Sequence, residues 1–288
     1  MPLICTNGRT IRDKPSAKTL SISLIIKENT YLAKVVDPSN TAEYDACLRL
    51  RHDYFVKKRH WVTSPHPDKE FDHYDPYCTH LAVFDTSPNA DNSSNKNADG
   101  NALELLAYMR LLLWTPETNG FMLENEFACL LPNQDNQNII RENSCELSRL
   151  VIAPQALKCY KRDESDNSHT QKSNRYFRSH SPMEPAATTA NAIETVAPMI
   201  SSPHVLEVLL KLLYCVSGAF GITQFYAVTE PALLRVLRCH FGIPFNVIGK
   251  DWGSPRKTEA VAVRASLADI EDSIKSRWQL RYLWYCRD

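Results

Sequence analysis

The sequence predicts a single layered domain of the α+β class, and three observations support this. The chain has 288 residues, a length that suits one large domain or two small ones. Apolar segments with strand periodicity alternate with apolar segments of helical periodicity. Two strand-like segments in the middle of the chain follow each other as a hairpin. Strands and helices mixed in this way pack as helices against a sheet around one core.

The first half of the chain is predicted to be mainly strands. A helix is expected from Asn40, with Asn40 and Glu43 forming the residue pair that caps its first turn. Strands are predicted on either side of this helix, in the segments "TYLAKVVD" (30–37), "THLAVFD" (79–85), "LELLAYMRLLLW" (103–114) and "ELSRLVIAP" (146–154).

The second half is predicted to alternate between helices and strands. The run "VLEVLLKLLYCVSGAFG" is apolar nearly all round, as in a helix buried against a sheet, and it ends at glycine. "PALLRVLRCHFG" predicts a helix with Pro231 at its start and Gly242 after its end. Ser266 and Asp269 are expected to open a last helix. Strands are predicted in "ITQFYAVT", "FNVIG" and "EAVAVRA".

Two polar segments interrupt this pattern. Residues 85–101 are rich in Asn, Asp, Ser and Gly, which predicts a long, mobile hairpin loop. Residues 160–203 form a longer insertion, basic in its first half and rich in Pro, Ala and Thr in its second. The prediction is therefore one domain over 1–288 with flexible insertions at these two places.

Composition excludes several classes of function. The 33 basic and 33 acidic side chains balance, which gives no overall attraction to nucleic acid. Nine cysteines without a CxxC pair or Cys/His metal spacing indicate a reducing compartment, hence the cytoplasm, and no metal site. The apolar run "LSISLII" is too short to span a membrane. No phosphate-binding glycine loop of the dinucleotide or P-loop type occurs.

Charged residues occupy positions where the pattern predicts a core. Arg51, for example, shares a helix face with Tyr44 and Cys47, and Arg110 is the only charge between Leu105 and Trp114. Because buried charges are costly unless paired, we expect one network of three carboxylates and three guanidiniums. Such a cluster is either a structural element that joins helix to sheet or an active site. Its predicted members are Arg51, Asp72, Asp75, Arg110, Glu146 and Arg149.

These residues lie in an ordered set of motifs. "RHDYFVKKRHW" places Arg51, Phe55 and Trp61 at spacings of four and six, and it is followed by "EFDHYD", the strand arginine Arg110 and "ELSR". Over about residues 40–155 this set resembles the acyl-homoserine lactone (autoinducer) synthases. The resemblance implies a GNAT-type acyltransferase fold, with a mixed central sheet flanked by helices.

The segment "GITQFYAVTEPALLRVLRCHFGIPFNVIG" resembles the long-chain N-acyl amino acid synthases associated with PEP-CTERM/exosortase systems. That family implies transfer of a fatty acyl group from acyl carrier protein to the amine of a free amino acid. The donor would be the acyl-phosphopantetheine of the carrier protein, with no bound cofactor. By motif, the family's active-site positions fall on Arg51, Phe55, Trp61, Asp72, Asp75, Arg110, Glu146 and Arg149.

The chain departs from the usual GNAT pattern after "LVIAP". The glycine-rich loop that holds the pyrophosphate of coenzyme A is missing, and "KCYKR" brings Lys158, Lys161 and Arg162 instead. These three cations would suit the acidic surface of a carrier protein, although a solvated loop has the same composition.

Amide formation assigns roles to the predicted residues. Glu146 is the first candidate for the base that deprotonates the amine, and Asp72 is the second. Arg149 and the other arginines would orient the carboxylates and bind the carboxylate of the acceptor. Substrate contacts are expected from Arg51, Phe55, Trp61, Asp75, Arg110 and Ser148.

Strand geometry adds a structural prediction. In a regular strand Glu146 and Ser148 share a face and Arg149 points to the other one. For Glu146 and Arg149 to act together, the strand must bulge or splay at 147–150. The bulge would also free a backbone N–H that could serve as an oxyanion donor.

Two other functions stay open at the level of the sequence. One is a homoserine lactone synthase that uses S-adenosylmethionine, and the other is a non-catalytic module that binds acyl carrier protein or lipid. Peripheral contact with a membrane, for release of an apolar product, also stays open.

Overall fold

A nine-stranded sheet is the framework of the protein. The computed structural model describes residues 21–26, 29–86, 103–131, 139–156, 203–249, 252–253 and 259–276. Strand order along the sheet is β1-β2-β3-β4-β5-β6-β9-β7, and β8 also pairs with β9. The strands are β1 (Ser21–Ile26), β2 (Asn29–Val36), β3 (Cys78–Asp85), β4 (Glu104–Leu113), β5 (Ser144–Ile152), β6 (Gln224–Thr229), β7 (Asn246–Val247), β8 (Trp252–Gly253) and β9 (Glu259–Ser266).

The helices flank this sheet on both faces. They are α1 (Thr41–Arg51), α2 (Met122–Asn125), α3 (Pro203–Phe220), α4 (Pro231–Cys239) and α5 (Leu267–Ser276). A π-helical segment, His52–Lys58, continues α1 directly, and short 3-10 turns occur at Asp75–Tyr77, Pro116–Thr118 and Ala128–Leu130. The predicted α+β class and the predicted strands and helices are thereby confirmed for the described residues.

Several local signals work as the sequence predicts. Pro231 is the first residue of α4, and Gly242 after its end has φ 67°. The hydroxyl of Ser266 accepts a hydrogen bond from the N–H of Asp269 at 3.0 Å, which caps the start of α5. Gly221 follows α3 with φ 65°, the left-handed conformation that often ends a helix.

The predicted capping pair at the start of α1 is wrong. Asn40 is the residue before the helix, but its side chain makes no capping hydrogen bond. Glu43 is instead drawn to Lys34 on β2, whose Nζ lies 2.6 Å from the Glu43 carboxylate. This half-buried ion pair joins α1 to the sheet by a charge-assisted hydrogen bond, which engages the carboxylate that the predicted cap would need.

Three clusters of buried apolar residues pack against the two faces of the sheet. Alternation along β5 directs Cys145 and Leu147 toward α3, where they pack with Phe225 and Val216. Residues on the other face pack against α1 and the loops around α2. Cys47 is buried there, whereas Cys129 and Cys215 are exposed.

Two irregularities in β5 position the site. Its parallel pairing with β6 runs only from Ser144–Gln224 to Leu147–Ala227, although both strands continue further. The two strands therefore separate after Leu147, and a gap opens between them. We call this gap the β5–β6 slot.

The second irregularity is a bulge on the other edge of β5. Ser148 pairs with Arg110 and Val151 pairs with Tyr108, so Arg149 and Leu150 together oppose one residue of β4. Arg149 has φ 56°, a left-handed backbone conformation that is uncommon for a residue other than glycine. The predicted bulge at 147–150 is confirmed.

The predicted insertions at 85–101 and 160–203 lie almost entirely outside the described residues. Within the described part of the chain, no helix combines the length and the apolar character needed to cross a bilayer.

Candidate active site

Arg51 anchors the charged cluster from the last turn of α1. Its side chain is completely buried. Nε donates to Oε2 of Glu70 at 2.5 Å, and Nη1 and Nη2 donate to the two carboxylate oxygens of Asp75 at 2.7 and 3.1 Å. One guanidinium therefore holds two carboxylates, which its planar fork of donors allows.

Arg110 supplies the second buried guanidinium from the middle of β4. It contacts both oxygens of Asp72, at 2.7 and 3.0 Å, and Oδ1 of Asp75 at 2.9 Å. Its Nε donates to the hydroxyl of Ser148, which lies directly opposite on β5, at 3.0 Å. Asp75 is thus shared between Arg51 and Arg110.

Arg149 completes the cluster because the bulge turns it toward the same carboxylates. Its Nη2 donates to Glu70 at 3.0 Å and to Asp72 at 3.1 Å. The guanidinium also lies over the ring of Phe55, 5.5 Å from its centroid. We call these three arginines and three carboxylates the arginine network: Arg51, Arg110, Arg149, Glu70, Asp72 and Asp75.

The prediction of one network is confirmed, but its predicted membership is wrong in one residue. Glu146 stands outside it and Glu70 takes its place. Glu146 pairs with Leu112 on β4 and faces α2, whereas the network carboxylates come from the loop between α1 and β3. Glu70 was not predicted, although it opens the motif "EFDHYD". It lies under α1 because its backbone N–H donates to the carbonyl oxygen of Leu48 at 3.1 Å, a contact that the motif does not indicate.

The network carboxylates are held ionised. Burial alone would raise the pKa of Asp75, but Arg51 and Arg110 hold it well below its usual range. The pKa of Glu70 is likewise lowered by Arg149 and Arg51 against the effect of burial. For Asp72, the hydrogen bond and charge of Arg110 outweigh the effect of burial on the pKa in the same way.

Glu146 has the opposite electrostatic environment. Its side chain is 1% exposed, and one oxygen accepts the backbone N–H of Leu123 at 3.2 Å. Burial raises the pKa of Glu146 to about 8, and the Leu123 hydrogen bond and the charge of Arg110 offset only part of that increase. This carboxyl can therefore exchange a proton near neutral pH.

A second layer of polar contacts supports the network from the sheet. The two nitrogens of His80 lie 2.6 Å from the Tyr108 hydroxyl (Nδ1) and 3.3 Å from the carbonyl oxygen of Asp75 (Nε2). Burial lowers the pKa of His80 to about 4, so the ring is neutral and only one nitrogen carries a proton. Because a carbonyl only accepts, Nε2 is the donor and Nδ1 accepts from Tyr108. Nothing in the sequence indicates either residue beyond its place in a predicted strand.

Two cavities open at the β5–β6 slot, one on each face of the sheet. The first, which we call the apolar cavity, has a volume of roughly 1080 Å³, open space at its mouth included, and lies between the sheet and α3, α4 and α5. The second, the Glu146 cavity, has a volume of roughly 950 Å³ and is lined by Glu146, Met122, Phe127 and Val62. The residues common to both linings include Phe55, Trp61, Ser148, Arg149, Thr229 and Glu230.

Arg59 connects the aromatic residue Trp61, which lines the slot, to the C-terminal end of β6. Arg59 lies over the ring of Trp61, 4.2 Å from its centroid, and forms a close ion pair with Glu230, the residue before α4. His60, which lies between Arg59 and Trp61 in the chain, has a backbone φ of 52°. The sequence could not indicate this ion pair, because its members are 171 residues apart.

The predicted site residues are distributed as follows. Phe55, Trp61, Glu146, Ser148 and Arg149 line the cavities. Four others lie behind the cavity walls, and among the residues that the structure describes none of these four lines either cavity: Arg51, Asp72, Asp75 and Arg110. The predicted carrier-protein patch of Lys158, Lys161 and Arg162 falls outside the described residues.

Comparisons with known proteins agree with this architecture. Residues 50–160 match the family described as "Acetyltransferase (GNAT) domain". A comparison with curated protein sequences finds no match.

Three solved structures are among those to which the chain is similar at low identity. A CoA-dependent acyl-homoserine lactone synthase, BjaI, with SAM and isopentyl-CoA, is 17% identical, with 84% of this chain and 87% of that chain covered and a TM-score of 0.49. MesI, another CoA-dependent acyl-homoserine lactone synthase, is 17% identical over 85% and 94%, with a TM-score of 0.48. FeeM, an N-acyl amino acid synthase from uncultured soil microbes, is 10% identical over 88% and 99%, with a TM-score of 0.46.

The mixed sheet flanked by helices agrees with the match over residues 50–160. The protein has a GNAT-type α+β fold, and its residues 50–160 match an acetyltransferase (GNAT) domain.

Proposed function

We propose that the protein is an N-acyltransferase that moves a long-chain fatty acyl group from acyl carrier protein to the amine of an amino acid. The observation that carries the proposal is the β5–β6 slot. There an apolar cavity and a cavity that contains a protonatable carboxyl share one set of lining residues. A thioester carbonyl in the slot would have its acyl chain on one side of the sheet and its attacking amine on the other.

The apolar cavity supports an acyl donor with a long chain. Its walls are formed by aliphatic and aromatic side chains such as Met109, Leu213, Phe225 and Val263. Each methylene group transferred from water into such a site contributes about 0.8 kcal/mol. Affinity for the acyl group would therefore increase with chain length until the cavity is filled.

The Glu146 cavity supports the chemistry of an amine acceptor. The ammonium form of the acceptor must lose one proton before its nitrogen can attack the thioester carbonyl. The C–N bond then forms, the C–S bond breaks, and a second proton leaves nitrogen while the departing sulfur takes one up. The products are an amide, a thiol and one released proton.

Glu146 is our candidate for the base in this sequence. With a pKa raised to about 8, its carboxylate is much more basic than an ordinary glutamate. Asp72, the alternative base, is a weaker candidate because Arg110 and Arg149 hold it ionised with a lowered pKa.

Arg149 is the candidate contact for the carboxylate of the acceptor. It lines both cavities, and its side chain retains 13% exposure although it binds Glu70 and Asp72. Ser148, held by Arg110, lies beside it. In this proposal the buried members of the arginine network position Arg149 and Ser148. The direct contact with substrate that the sequence predicts for Arg51, Asp75 and Arg110 stays a prediction.

Acyl carrier protein is the proposed donor on the basis of the sequence. Where GNAT enzymes that use coenzyme A have a pyrophosphate loop, this chain has Lys158, Lys161 and Arg162. A basic patch of this kind would accelerate encounter with an acidic carrier protein.

An end-point assay tests the proposal directly. Purified protein would be incubated with long-chain acyl carrier protein, or separately with acyl-coenzyme A, together with all twenty amino acids and S-adenosylmethionine. Mass spectrometry would identify the products. An N-acyl amino acid supports the proposal and names the acceptor, whereas an acyl-homoserine lactone, or an intact thioester with every amine, contradicts it.

A further inference from the structure

The apolar cavity approaches the protein surface in two places. One is the β5–β6 slot, where the lining residues around Arg149 and Glu230 are half-buried. The other is the seam between α3 and α5. Among the described residues that line the cavity, only Tyr214 counts as exposed, with 39% of its surface accessible, and its neighbour in the seam, Leu267, is half-buried.

The seam is formed by one stripe from each helix. Leu210, Leu213 and Tyr214 have the i, i+3, i+4 spacing of a single face of α3, and Leu267 and Ile270 come from α5. All five line the apolar cavity. Because Tyr214 is both a lining residue and an exposed one, its ring is the wall between the cavity and solvent at this point.

Tyr214 is held in that position from outside. Its hydroxyl donates to Oε1 of Glu271 on α5 at 2.9 Å, in an exposed hydrogen bond. An exposed hydrogen bond contributes little net stability, since water can replace either partner. Loss of this bond alone therefore costs little, and Leu210 and Leu213 beside it are buried whereas Tyr214 is not.

We infer that Tyr214, retained by Glu271, ends the acyl-binding cavity and determines the longest acyl group that fits without displacing it. The inference rests on the proposed function, because it concerns the acyl side of that same site. Acyl groups short of Tyr214 lie wholly inside the cavity. Longer ones must push the ring aside and emerge between α3 and α5.

Direct binding of free saturated fatty acids tests this without turnover. Dissociation constants of acids with 8 to 18 carbons would be measured by isothermal titration calorimetry on the full chain. In the wild type, affinity should increase about fourfold per added methylene, the equivalent of about 0.8 kcal/mol, and then level off at a limiting length. In Tyr214→Ala the increase should continue for at least two more methylenes, so that the longest acid binds at least tenfold tighter than to the wild type.

Three further variants make the result specific to the seam. Tyr214→Trp places a larger ring in the wall and should move the limit to shorter acids. Tyr214→Phe keeps the ring but loses the hydrogen bond to Glu271. Its affinity should therefore level off less sharply with acyl length than that of the wild type. Tyr77→Ala removes a tyrosine of similar exposure (37%) that is not a described lining residue of the cavity, and it should leave the length profile unchanged.

The outcomes separate the inference from the proposed function. Wild-type protein that binds none of the acids contradicts an acyl site and thus both proposals. Binding with a length limit that is the same in the wild type, Tyr214→Ala and Tyr214→Trp overturns the role of Tyr214 and leaves the proposed function standing. If Tyr214→Ala unfolds at the assay temperature, the shift toward shorter acids in Tyr214→Trp decides the question alone.

Discussion

The carboxylate of Glu146 accepts the backbone N–H of Leu123 at 3.2 Å, on the same strand face where Ser148 accepts from Arg110 at 3.0 Å. Two residues of one strand therefore have very different electrostatic surroundings. Ser148 is joined to the permanent charges of the arginine network. Glu146 is almost completely buried and has no ion-pair partner among the described residues, which is why its pKa is raised to about 8. The site combines fixed charge with one group that can exchange a proton.

Replacement of Glu146 by glutamine should nearly abolish amide formation. The amide oxygen of the new side chain can still accept the N–H of Leu123, so the fold should be retained, but a base is lost. General-base catalysis typically contributes about 10²–10⁴-fold, and a fall in kcat of at least about 100-fold is expected. The measurement is steady-state turnover with the donor and acceptor that the end-point assay identifies.

The matched control for this variant is Glu126→Gln, which removes an exposed carboxylate near the same cavity. It should turn over within about twofold of the wild type, as expected for an exposed surface substitution. Turnover of Glu146→Gln close to that of the wild type would remove Glu146 as the base.

The rate should depend on pH through the same group. Because the active form of Glu146 is its carboxylate, and the pKa is about 8, kcat of the wild type should increase from pH 6 to pH 9. The residual rate of Glu146→Gln should lack this rise. A wild-type rate that is flat between pH 6 and 9 would show that chemistry through Glu146 does not limit turnover.

Stability should respond to pH in the opposite direction. Glu146 has a higher pKa in the folded protein than its ordinary value of 4.5, so between pH 4.5 and 8 the unfolded chain binds fewer protons than the folded one. Its contribution to stability therefore falls as pH rises through this window. Glu146→Gln removes the cost of ionising a buried carboxyl, and at pH 8.5 it should be about 1–3 kcal/mol more stable than the wild type.

Urea unfolding of both proteins at pH 4.5 and at pH 8.5 measures this difference. The comparison between the two proteins cancels every other titrating group. The gap between their unfolding free energies should be larger at pH 8.5. An equal gap at the two pH values would mean that Glu146 has an ordinary pKa.

The fold could be predicted from the sequence because its signals are local. The apolar runs of β3 to β6, proline at the start of α4 and the Ser266 cap each act within a few residues. The capping pair of Asn40 and Glu43 failed for a non-local reason, since Lys34 on a neighbouring strand attracts Glu43. A local pattern cannot show such competition.

The site could be predicted in outline for a different reason. Buried charges must be paired, so Arg51, Arg110 and Arg149 had to meet carboxylates. Which carboxylates they meet depends on the path of the loop after α1, and this path selects Glu70 instead of Glu146. A bulge could be predicted because Arg149 cannot otherwise share a side of β5 with Glu146, but the bulge that forms directs Arg149 to Glu70 and Asp72. The Arg59–Glu230 ion pair could not, since nothing in either segment refers to the other.

Replacement of Asp75 by asparagine should be strongly destabilising. Asp75 is shared by two buried guanidiniums, with contacts of 2.7 Å to Arg51 and 2.9 Å to Arg110. Removal of one partner from a buried ion pair costs about 3–5 kcal/mol, because the remaining charge is left uncompensated. The free energy of unfolding of Asp75→Asn should fall by about that amount at pH 7, as measured by urea titration.

Asp53→Asn is the control for this loss, since Asp53 pairs with Lys57 at 2.8 Å but retains 63% exposure. Its effect should be below about 0.5 kcal/mol.

The destabilisation caused by Asp75→Asn should also become smaller at acidic pH. The arginines lower the pKa of Asp75 in the folded protein against the effect of burial, so its contribution is present above pH 3.8 and is lost as pH falls further. A loss below about 1 kcal/mol at pH 7 would contradict a network held by Asp75.

Arg149 has two separable properties, its guanidinium and its left-handed backbone, and two substitutions distinguish them. Arg149→Ala and Arg149→Gly both remove the contacts with Glu70 and Asp72, so both should lose turnover to a similar extent. Only alanine retains a Cβ at φ 56°, where an L-residue is strained by roughly 1–2 kcal/mol. After allowance for the greater chain entropy of glycine, Arg149→Gly should be about 1 kcal/mol more stable than Arg149→Ala. Urea midpoints of the two variants measure the difference. A glycine variant that is less stable than the alanine variant would mean that the bulge relaxes to a regular strand once the guanidinium is gone, and that the arginine network itself holds Arg149 in its left-handed conformation.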